Sequence, residues 1–249
     1  MRRGRMFESS KSIVLDRIFN ELPGLHRTNE STDYGFERSI LPKSQKRYLQ
    51  RLSGFQNFAI SRDFAHYILG TIKPEMHTLE TGSGVSTLAF ALAGSTHIAV
   101  SPHSDETERI LNYARSVSID LSRATFTNAP SEQYLPTMDR LDLDAILIDG
   151  KHAFPWPMID WFYTADMLKV GGILMLDDIQ LRPVAVIRDF MKQDRARWKL
   201  EQTIERTAIF RKVGAPILDV AWHEHPWTVH WKRPFMEWAR GRIKRHLGI

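Results

Sequence analysis

The sequence predicts a doubly wound α/β fold: a mainly parallel, seven-stranded sheet that ends in an antiparallel hairpin and carries a helical N-terminal extension. Three observations indicate this class. From residue 77 onward, short apolar runs alternate with helix-like segments, which is the pattern of βαβ units. A glycine-rich turn follows the first of these runs. Two closely spaced alternating segments near residue 200 have the pattern of a hairpin.

Each element follows from the pattern in chain order. Residues 1–70 are helix-like and irregular, and we interpret them as an extension or lid. Strands are predicted at 77–81, 96–101, 124–128, 143–149 and 171–177. Helices are predicted between them at 85–93, 105–118, 132–137, 155–168 and 183–193. The hairpin covers 198–204 and 207–213, so the main domain is predicted at 71–213 and an aromatic and basic tail at 214–249.

Composition excludes several kinds of site. The 249 residues include no cysteine, which rules out disulfides, thiolate metal ligands and cysteine nucleophiles. We find no long uncharged apolar run and no signal-peptide segment, and we therefore expect a cytoplasmic protein. The net charge of +5 is mild, so we expect no nucleic-acid partner. The basic cluster at 240–245 either contacts anionic membranes weakly or is a solvated tail. The sequence leaves open whether the chain forms a homo-oligomer.

The glycine-rich turn is the strongest functional signal. An apolar run ends in the acid Glu80, and the segment from Thr81 to Gly84 leads into a helix start. Glycines permit a tight turn and the close approach of a ligand, and a helix start offers free N–H groups. The pattern therefore predicts a cofactor site at the carboxyl edge of a parallel sheet, against the alternative of an ordinary strand-to-helix turn. A dinucleotide fingerprint fits poorly, because Thr87 stands where its third glycine belongs.

Three carboxylates follow two neighbouring strands of the predicted sheet. Asp149 comes after the fourth strand, close to Lys151 and His152, and Asp177 and Asp178 come after the fifth. Because adjacent parallel strands lie close together, we expect these carboxylates to converge. Like charges repel unless a proton or cation intervenes, and a Mg²⁺-type ion prefers oxygen ligands. The alternative is that these acids cap helices or bind loops without a metal.

The acid-x-Gly-x-Gly turn resembles motif I of the class I S-adenosylmethionine (SAM)-dependent methyltransferases, and the resemblance covers residues 75–213. It implies a Rossmann-like fold, SAM as the cofactor, and a turn that surrounds the amino-acid end of SAM with Glu80 near its ammonium group. The implied cofactor-binding residues are Glu80, Thr81, Gly82, Ser83, Gly84, Ser86, Ser101, Ser131 and Asp149.

Two of these positions carry alternatives. Ser101 stands where the family has an acid for the ribose, so the ribose contact falls to this hydroxyl or to Asp105, which is also a candidate helix cap. Ser131 and Glu132 stand where the family often meets the adenine, but Ser131 is also a candidate N-cap.

The Ile-Asp-Gly-x-His and Asp-Asp patterns are similar to the metal-dependent O-methyltransferases of catechol type and sugar type. That resemblance implies that Asp149, Asp177 and Asp178 hold Mg²⁺ or a similar ion, which lowers the pKa of a substrate hydroxyl. His152 or Lys151 then takes the proton.

We therefore expect a methyltransferase that acts on a hydroxyl of a small-molecule or glycosylated acceptor. The alternatives are a metal-independent or non-catalytic SAM-binding domain with a scaffolding or membrane-docking role, and a nicotinamide-dependent oxidoreductase.

Overall fold

A computed structural model describes residues 2–21 and 59–215 of the chain. The predicted C-terminal tail from residue 216, with its basic cluster, lies outside the described residues, as does 22–58 of the predicted extension. The described elements are α1 (Arg2–Glu21), α2 (Arg62–Thr71), β1 (His77–Thr81), α3 (Val85–Ala93), β2 (Thr96–Val100), α4 (Ser104–Ser116), β3 (Ala124–Thr127), α5 (Ser131–Tyr134), β4 (Leu143–Ile148), α6 (Trp156–Ala165), β5 (Leu168–Leu176), α7 (Arg182–Gln193), β6 (Trp198–Ile204) and β7 (Thr207–Lys212).

The seven strands form one sheet in the order β3-β2-β1-β4-β5-β7-β6. Strands β1 to β5 are parallel to their neighbours, β7 is antiparallel to β5, and β6 pairs with β7 as the terminal hairpin. The predicted fold class is therefore confirmed. The strand order changes direction between β1 and β4, and ligands of such sheets bind at this switch point, beyond the carboxyl ends of the strands.

Helices cover both faces of the sheet, and successive strand residues alternate between two cores. From β4, Ala145 and Leu147 join the core beneath α3 and α4, whereas Ile146 and Ile148 join the core beneath α6 and α7. All four side chains are almost completely buried. Burial on both faces explains why the predicted strands appear in the sequence as continuous apolar runs.

The described part of the N-terminal extension shares one of these cores. Leu15 of α1 and Phe64 of α2 are fully buried in the same cluster as Leu88 of α3. Helix α2 begins at a cap, because the Ser61 hydroxyl accepts a hydrogen bond from the Phe64 N–H at 3.2 Å. The domain boundary at residue 70 stays a prediction, but α1 and α2 pack on the same face of the sheet as α3.

The largest departure from the predicted elements lies between α6 and β5. The helix ends at Ala165 instead of 168, and the strand starts at Leu168 instead of 171. Pairing with β4 is interrupted by a bulge after Leu168, and Gly171 within it has φ +91°. The Gly-Gly pair therefore marks a bulge inside a strand, although the sequence pattern suggested a loop. No helix among residues 2–21 and 59–215 is long and apolar enough to cross a membrane.

Candidate active site

The strand register collects the predicted site at one edge of the sheet. Thr81 pairs with Val100 on one side and with Ile148 on the other, and Ile148 pairs with Leu176. The residues that directly follow β1, β2, β4 and β5 are therefore neighbours of one another. Because β7 is antiparallel, its first residue lies at the same edge. The residues brought together are Gly82, Ser101, Asp149, Asp177 and Thr207.

The glycine turn packs directly on the loop after β4. Gly82 has φ +95°, and its N–H donates to the Val100 carbonyl at 2.8 Å. A Cβ at this position would lie 2.4 Å from the Asp149 carbonyl oxygen. Both the backbone conformation and the space therefore require glycine, and the turn is held against the strand that carries the acidic cluster.

Glu80 is fully buried in a hydrogen-bonded network beneath this turn. Its Oε1 accepts a hydrogen bond from the Thr87 hydroxyl and lies 3.1 Å from His97 Nε2. The Thr87 hydroxyl in turn accepts from the Gly84 N–H at 3.0 Å. Glu80 Oε2 is buried and has no hydrogen-bond partner among the described residues. That free acceptor fits the ammonium group, directly or through water, that the family resemblance assigned to Glu80.

His97 is a site residue that the sequence analysis missed. It lies in β2, is fully buried, and stacks on Phe90 with ring centroids 4.4 Å apart. Its Nδ1 lies 2.8 Å from the hydroxyl of Thr78, the residue two before Glu80 in β1. The sequence did carry a signal for this contact, because Thr78 and Glu80 are polar residues on one face of the buried strand β1. Buried polar groups need polar partners, which a neighbouring strand must supply.

The serines predicted as cofactor contacts are enclosed to different degrees. Ser83 has a buried hydroxyl without a hydrogen-bond partner among the described residues, and Ser86 is 3% exposed in the first turn of α3. The Ser101 hydroxyl accepts from the His103 N–H at 3.4 Å. Ser131 is mostly buried at the start of α5. Each stays a prediction as a cofactor contact.

Asp105, the alternative ribose acid, lies in the first turn of α4. Its Oδ2 is 3.2 Å from Arg109 Nη1, four residues further along the same helix. The side chain therefore pairs within its own helix. The N-cap of α4 is His103, so the interpretation of Asp105 as the helix cap was wrong.

A second buried carboxyl, also missed from the sequence, lies below the turn. Asp160 of α6 is fully buried near Thr81 and Gly150. Burial raises the pKa of Asp160, while the neighbouring side chains of Ser131 and Thr81 act in the opposite direction. An acid in the middle of an apolar helix gave no motif, and only the packing of α6 against the turn brings it to this place.

The predicted acidic cluster does form. His152 Nε2 lies 3.5 Å from Asp149 Oδ1 and 3.7 Å from Asp178 Oδ2. The Asp177 side chain is buried, and its Oδ1 accepts a hydrogen bond from the Thr207 hydroxyl. On the opposite side, Arg206 Nε lies 3.1 Å from Asp178 Oδ1. Arg206, in the turn between β6 and β7, is a further residue that the sequence analysis missed.

The charges in the cluster influence one another. Burial, and then the negative charge of Asp177, raise the pKa of Asp149. Burial likewise raises the pKa of Asp177 against the effect of its Thr207 hydrogen bond. Burial alone would lower the pKa of His152, but the hydrogen bond and charge of Asp149 outweigh it and raise that pKa. The neighbouring acids thus make the imidazole of His152 a stronger base.

Lys151, the other predicted base, is directed elsewhere. Its Nζ lies 3.6 Å from the centroid of the Trp156 ring, a cation–π contact at the start of α6. His152, not Lys151, contacts the acids in this structure.

The predicted metal site is not supported in this arrangement. Within the described ranges, no group of three or more histidine or acidic side chains is placed so that it could hold a metal ion. One oxygen of Asp177 is taken by Thr207, and Asp178 Oδ1 faces Arg206 and accepts from the Gln180 amide at 2.8 Å. Asp149, Asp177 and Asp178 converge as expected, but carboxylate oxygens that would bind a metal face protein groups instead.

Comparison with known proteins supports the class that the sequence suggested. The family model described as a methyltransferase domain matches residues 79–179. That span contains every residue predicted for the site, from Glu80 to Asp178. No curated protein matches the sequence significantly.

Solved structures share the fold at low sequence identity. Cofactor-bound Rv0187 from MTB is 15% identical with a TM-score of 0.54, covering 75% of this chain and 99% of its own. The O-methyltransferase TomG from Streptomyces achromogenes, in complex with SAM, is 16% identical with a TM-score of 0.53, covering 71% and 93%. SAH-bound Podospora anserina methyltransferase PaMTH1 is 14% identical with a TM-score of 0.51, covering 70% and 89%.

The sheet order, the glycine turn after β1 and the family match over residues 79–179 together support the resemblance to class I SAM-dependent methyltransferases. The fold is shared with structures solved with SAM or SAH bound, and in this chain the glycine turn lies at the switch point of the sheet.

Proposed function

We propose that the protein transfers the methyl group of SAM to a hydroxyl of a small-molecule or glycosylated acceptor, with His152 accepting the hydroxyl proton. One observation carries this proposal. The cofactor turn and the His152 cluster meet at one sheet edge, where the backbone at Gly82 packs on the carbonyl of Asp149. An acceptor held beside His152 is thereby next to the cofactor region.

The residues of the cofactor half fit SAM. The unpartnered Oε2 of Glu80 suits an ammonium group, and the cradle at Gly82 has no room for a side chain. The hydroxyls of Ser83 and Thr81 are also buried without hydrogen-bond partners among the described residues. Bound SAM supplies an electrophilic methyl group, and the chain orients it and excludes water.

His152 is the residue that handles the proton. SAM held at the glycine turn would supply the methyl group to the acceptor oxygen and would leave as SAH, and the acceptor hydroxyl would lose its proton. The hydroxyl proton passes to Nε2 of His152, and the carboxylates of Asp149 and Asp178 stabilise the imidazolium that forms. No step needs a metal ion, and the described arrangement of acids does not fit one.

The surroundings favour an acceptor with a ring. Phe154 is 65% exposed in the loop after β4, and Trp156 follows two residues later. Sugar and aromatic rings pack on such faces, which supports a glycosylated or aromatic acceptor.

Two measurements test the proposal. Calorimetry with S-adenosylhomocysteine (SAH) and SAM should detect binding, and the absence of binding at millimolar concentrations would remove the proposed function. Transfer of a labelled methyl group to a panel of hydroxyl, amine and carbon acceptors then tests the acceptor class. Labelling confined to amines would contradict O-methylation.

Two neighbouring residues give a matched pair of variants for the base. We expect His152→Gln to lower the transfer rate by roughly 100-fold, because general-base catalysis is lost, and Lys151→Gln to stay within about threefold of wild type. Equal losses in the two variants would contradict the assignment of His152.

A further inference from the structure

The turn between β6 and β7 is built against the acidic cluster by backbone and side-chain contacts. The Ile179 N–H donates to the Arg206 carbonyl at 3.0 Å, and the Thr207 hydroxyl donates to Asp177. Asp178 lies between these contacts with φ +56°, in the left-handed region that a non-glycine residue rarely adopts. The turn and the two acids are therefore fixed relative to each other.

The guanidinium of Arg206 extends from this turn to both acids. Its Nε lies 3.1 Å from Asp178 Oδ1 and 3.8 Å from Asp177 Oδ2. Its Nη2 donates to the Ala59 carbonyl at 2.6 Å, so the group is held from two sides. Arg206 is 29% exposed, which places its charge at the border between the buried acids and solvent.

The position of this charge suits the electrostatics of the cluster. Three carboxylates lie at one strand edge, and His152 approaches Asp149 and Asp178 from one side. Arg206 approaches Asp177 and Asp178 from the other. A unit charge at such distances in a partly buried site interacts strongly with a neighbouring acid. An arginine is charged at every pH at which the protein is folded.

We propose that Arg206 is a built-in counter-cation that takes the place of a divalent ion at Asp149, Asp177 and Asp178, and so closes a latent metal site. The inference deepens the proposed function, since it concerns the acceptor side of the same site. A guanidinium donates hydrogen bonds but has no open coordination position, so it cannot bind a substrate hydroxyl as a ligand. Deprotonation of the acceptor then depends on His152.

Binding of Mn²⁺ alone tests this proposal without any methyl transfer. The full chain is freed of metals with a chelator, and free Mn²⁺ is measured by electron paramagnetic resonance. We expect the wild type to bind Mn²⁺ weakly and Arg206→Met to bind one ion per chain roughly tenfold more tightly or better, because a positive charge beside the acids is gone. Arg206→Lys keeps the charge and should behave like the wild type.

Two further variants complete the design. Arg206→Met combined with Asp177→Asn should return to weak binding, which locates the new site at the acids. Arg206→Gln, which keeps a donor for the Ala59 carbonyl, replaces Arg206→Met if that variant does not fold.

The outcomes separate clearly. Wild-type binding as tight as that of Arg206→Met would overturn the proposal, because the guanidinium would then not exclude an ion. Weak binding in both would overturn it as well, because the acids would not form a latent site. SAH binding, measured on the same samples, reports separately on the proposed function.

Discussion

Buried carboxylates have different partners in the two halves of the site. The cofactor half is the glycine turn with Glu80, and the acceptor half is the cluster of Asp149, His152, Asp177 and Asp178. In the cofactor half, the carboxylate of Glu80 is fully enclosed and meets a hydroxyl from Thr87 and the imidazole of His97. In the acceptor half, three carboxylates lie at a more open edge, and the charged group opposite Asp178 is Arg206. One half is a closed network and the other is a balance of like and opposite charges.

The difference shows what each half is suited to do. A buried carboxylate whose hydrogen bonds come from its own core elements stays in one geometry, as a binding site for a constant cofactor requires. A cluster with surplus acids responds to any proton or cation that enters it, which suits a site where a proton is transferred. Variants that disturb each half separately test this contrast.

We expect the largest effect from Gly82→Ala, at the contact between the two halves. The new Cβ would lie 2.4 Å from the Asp149 carbonyl oxygen, in a backbone with φ +95°. Strain and clash together should cost about 3–5 kcal/mol of unfolding free energy and abolish SAH binding at micromolar concentrations. Urea unfolding and calorimetry measure both.

Gly171→Ala is the matched control. Gly171 has φ +91°, but a Cβ added there would meet nothing within 4 Å beyond its chain neighbours, so this variant isolates backbone strain of about 1–2 kcal/mol. Equal destabilisation by the two variants would show that the contact with Asp149 carries no extra cost.

The next largest effect is expected from His97→Phe in the cofactor half. Phenylalanine keeps the stack on Phe90 but removes the partner of Glu80, so a buried carboxylate loses one contact. We expect a loss of about 2–4 kcal/mol in unfolding free energy, measured by urea unfolding. His97→Gln, whose amide can donate to Glu80, should recover part of it.

A double-mutant cycle with Glu80→Gln sharpens this result. If the two residues act as one network, the combined loss is smaller than the sum of the single losses. Additive losses, or a His97→Phe variant as stable as wild type, would contradict the network.

A smaller effect is expected from Thr207→Val in the acceptor half. Valine keeps the shape but removes the hydroxyl that donates to Asp177, whose Oδ2 already has no hydrogen-bond partner among the described residues. The expected loss is about 1–2 kcal/mol of unfolding free energy in urea. Thr207→Ser keeps the donor and should stay closer to wild type; the reverse order would show that packing, not the hydrogen bond, matters here.

A separate effect is a pH dependence of stability that must be measured before any such dependence is assigned to the acids. Burial lowers the pKa of Lys212, at the far end of β7, to about 8 from an ordinary value of 10.5. Between these values the unfolded chain binds the extra proton, so stability should rise with pH from about 8 to 10. Urea unfolding at several pH values measures the slope, and Lys212→Met should remove it. An unchanged slope in the variant would assign the dependence to other groups.

The residues that sequence patterns located are those whose role depends on neighbours along the chain. The turn from Glu80 to Gly84 combines a strand end, glycines and a helix start, and its position at the carboxyl edge of the sheet follows from the βαβ pattern. The convergence of Asp149 with Asp177 also followed, because both come directly after adjacent parallel strands. The start of β5 was misplaced because a glycine pair inside a bulge has the composition of a loop.

The site residues that the sequence analysis missed are those whose roles depend on contacts between distant segments. His97 belongs to no motif along the chain, and its role depends on the register that places it opposite Thr78. Arg206 lies in a hairpin turn whose composition indicates only a turn. Its position beside Asp178 depends on β7 pairing antiparallel with β5.

The hydrophobic period, the placement of glycines and the strand ends are local properties, and they were enough to predict the sheet, its glycine turn and the gathering of acids at one edge. The charged groups that those acids contact depend on how distant segments pack together. His152 rather than Lys151 contacts them, and Arg206 takes the side on which the resemblance had implied a metal ion. The physical reason is that partners of buried charges come from whichever elements the fold brings into contact, and sequence spacing does not encode those contacts.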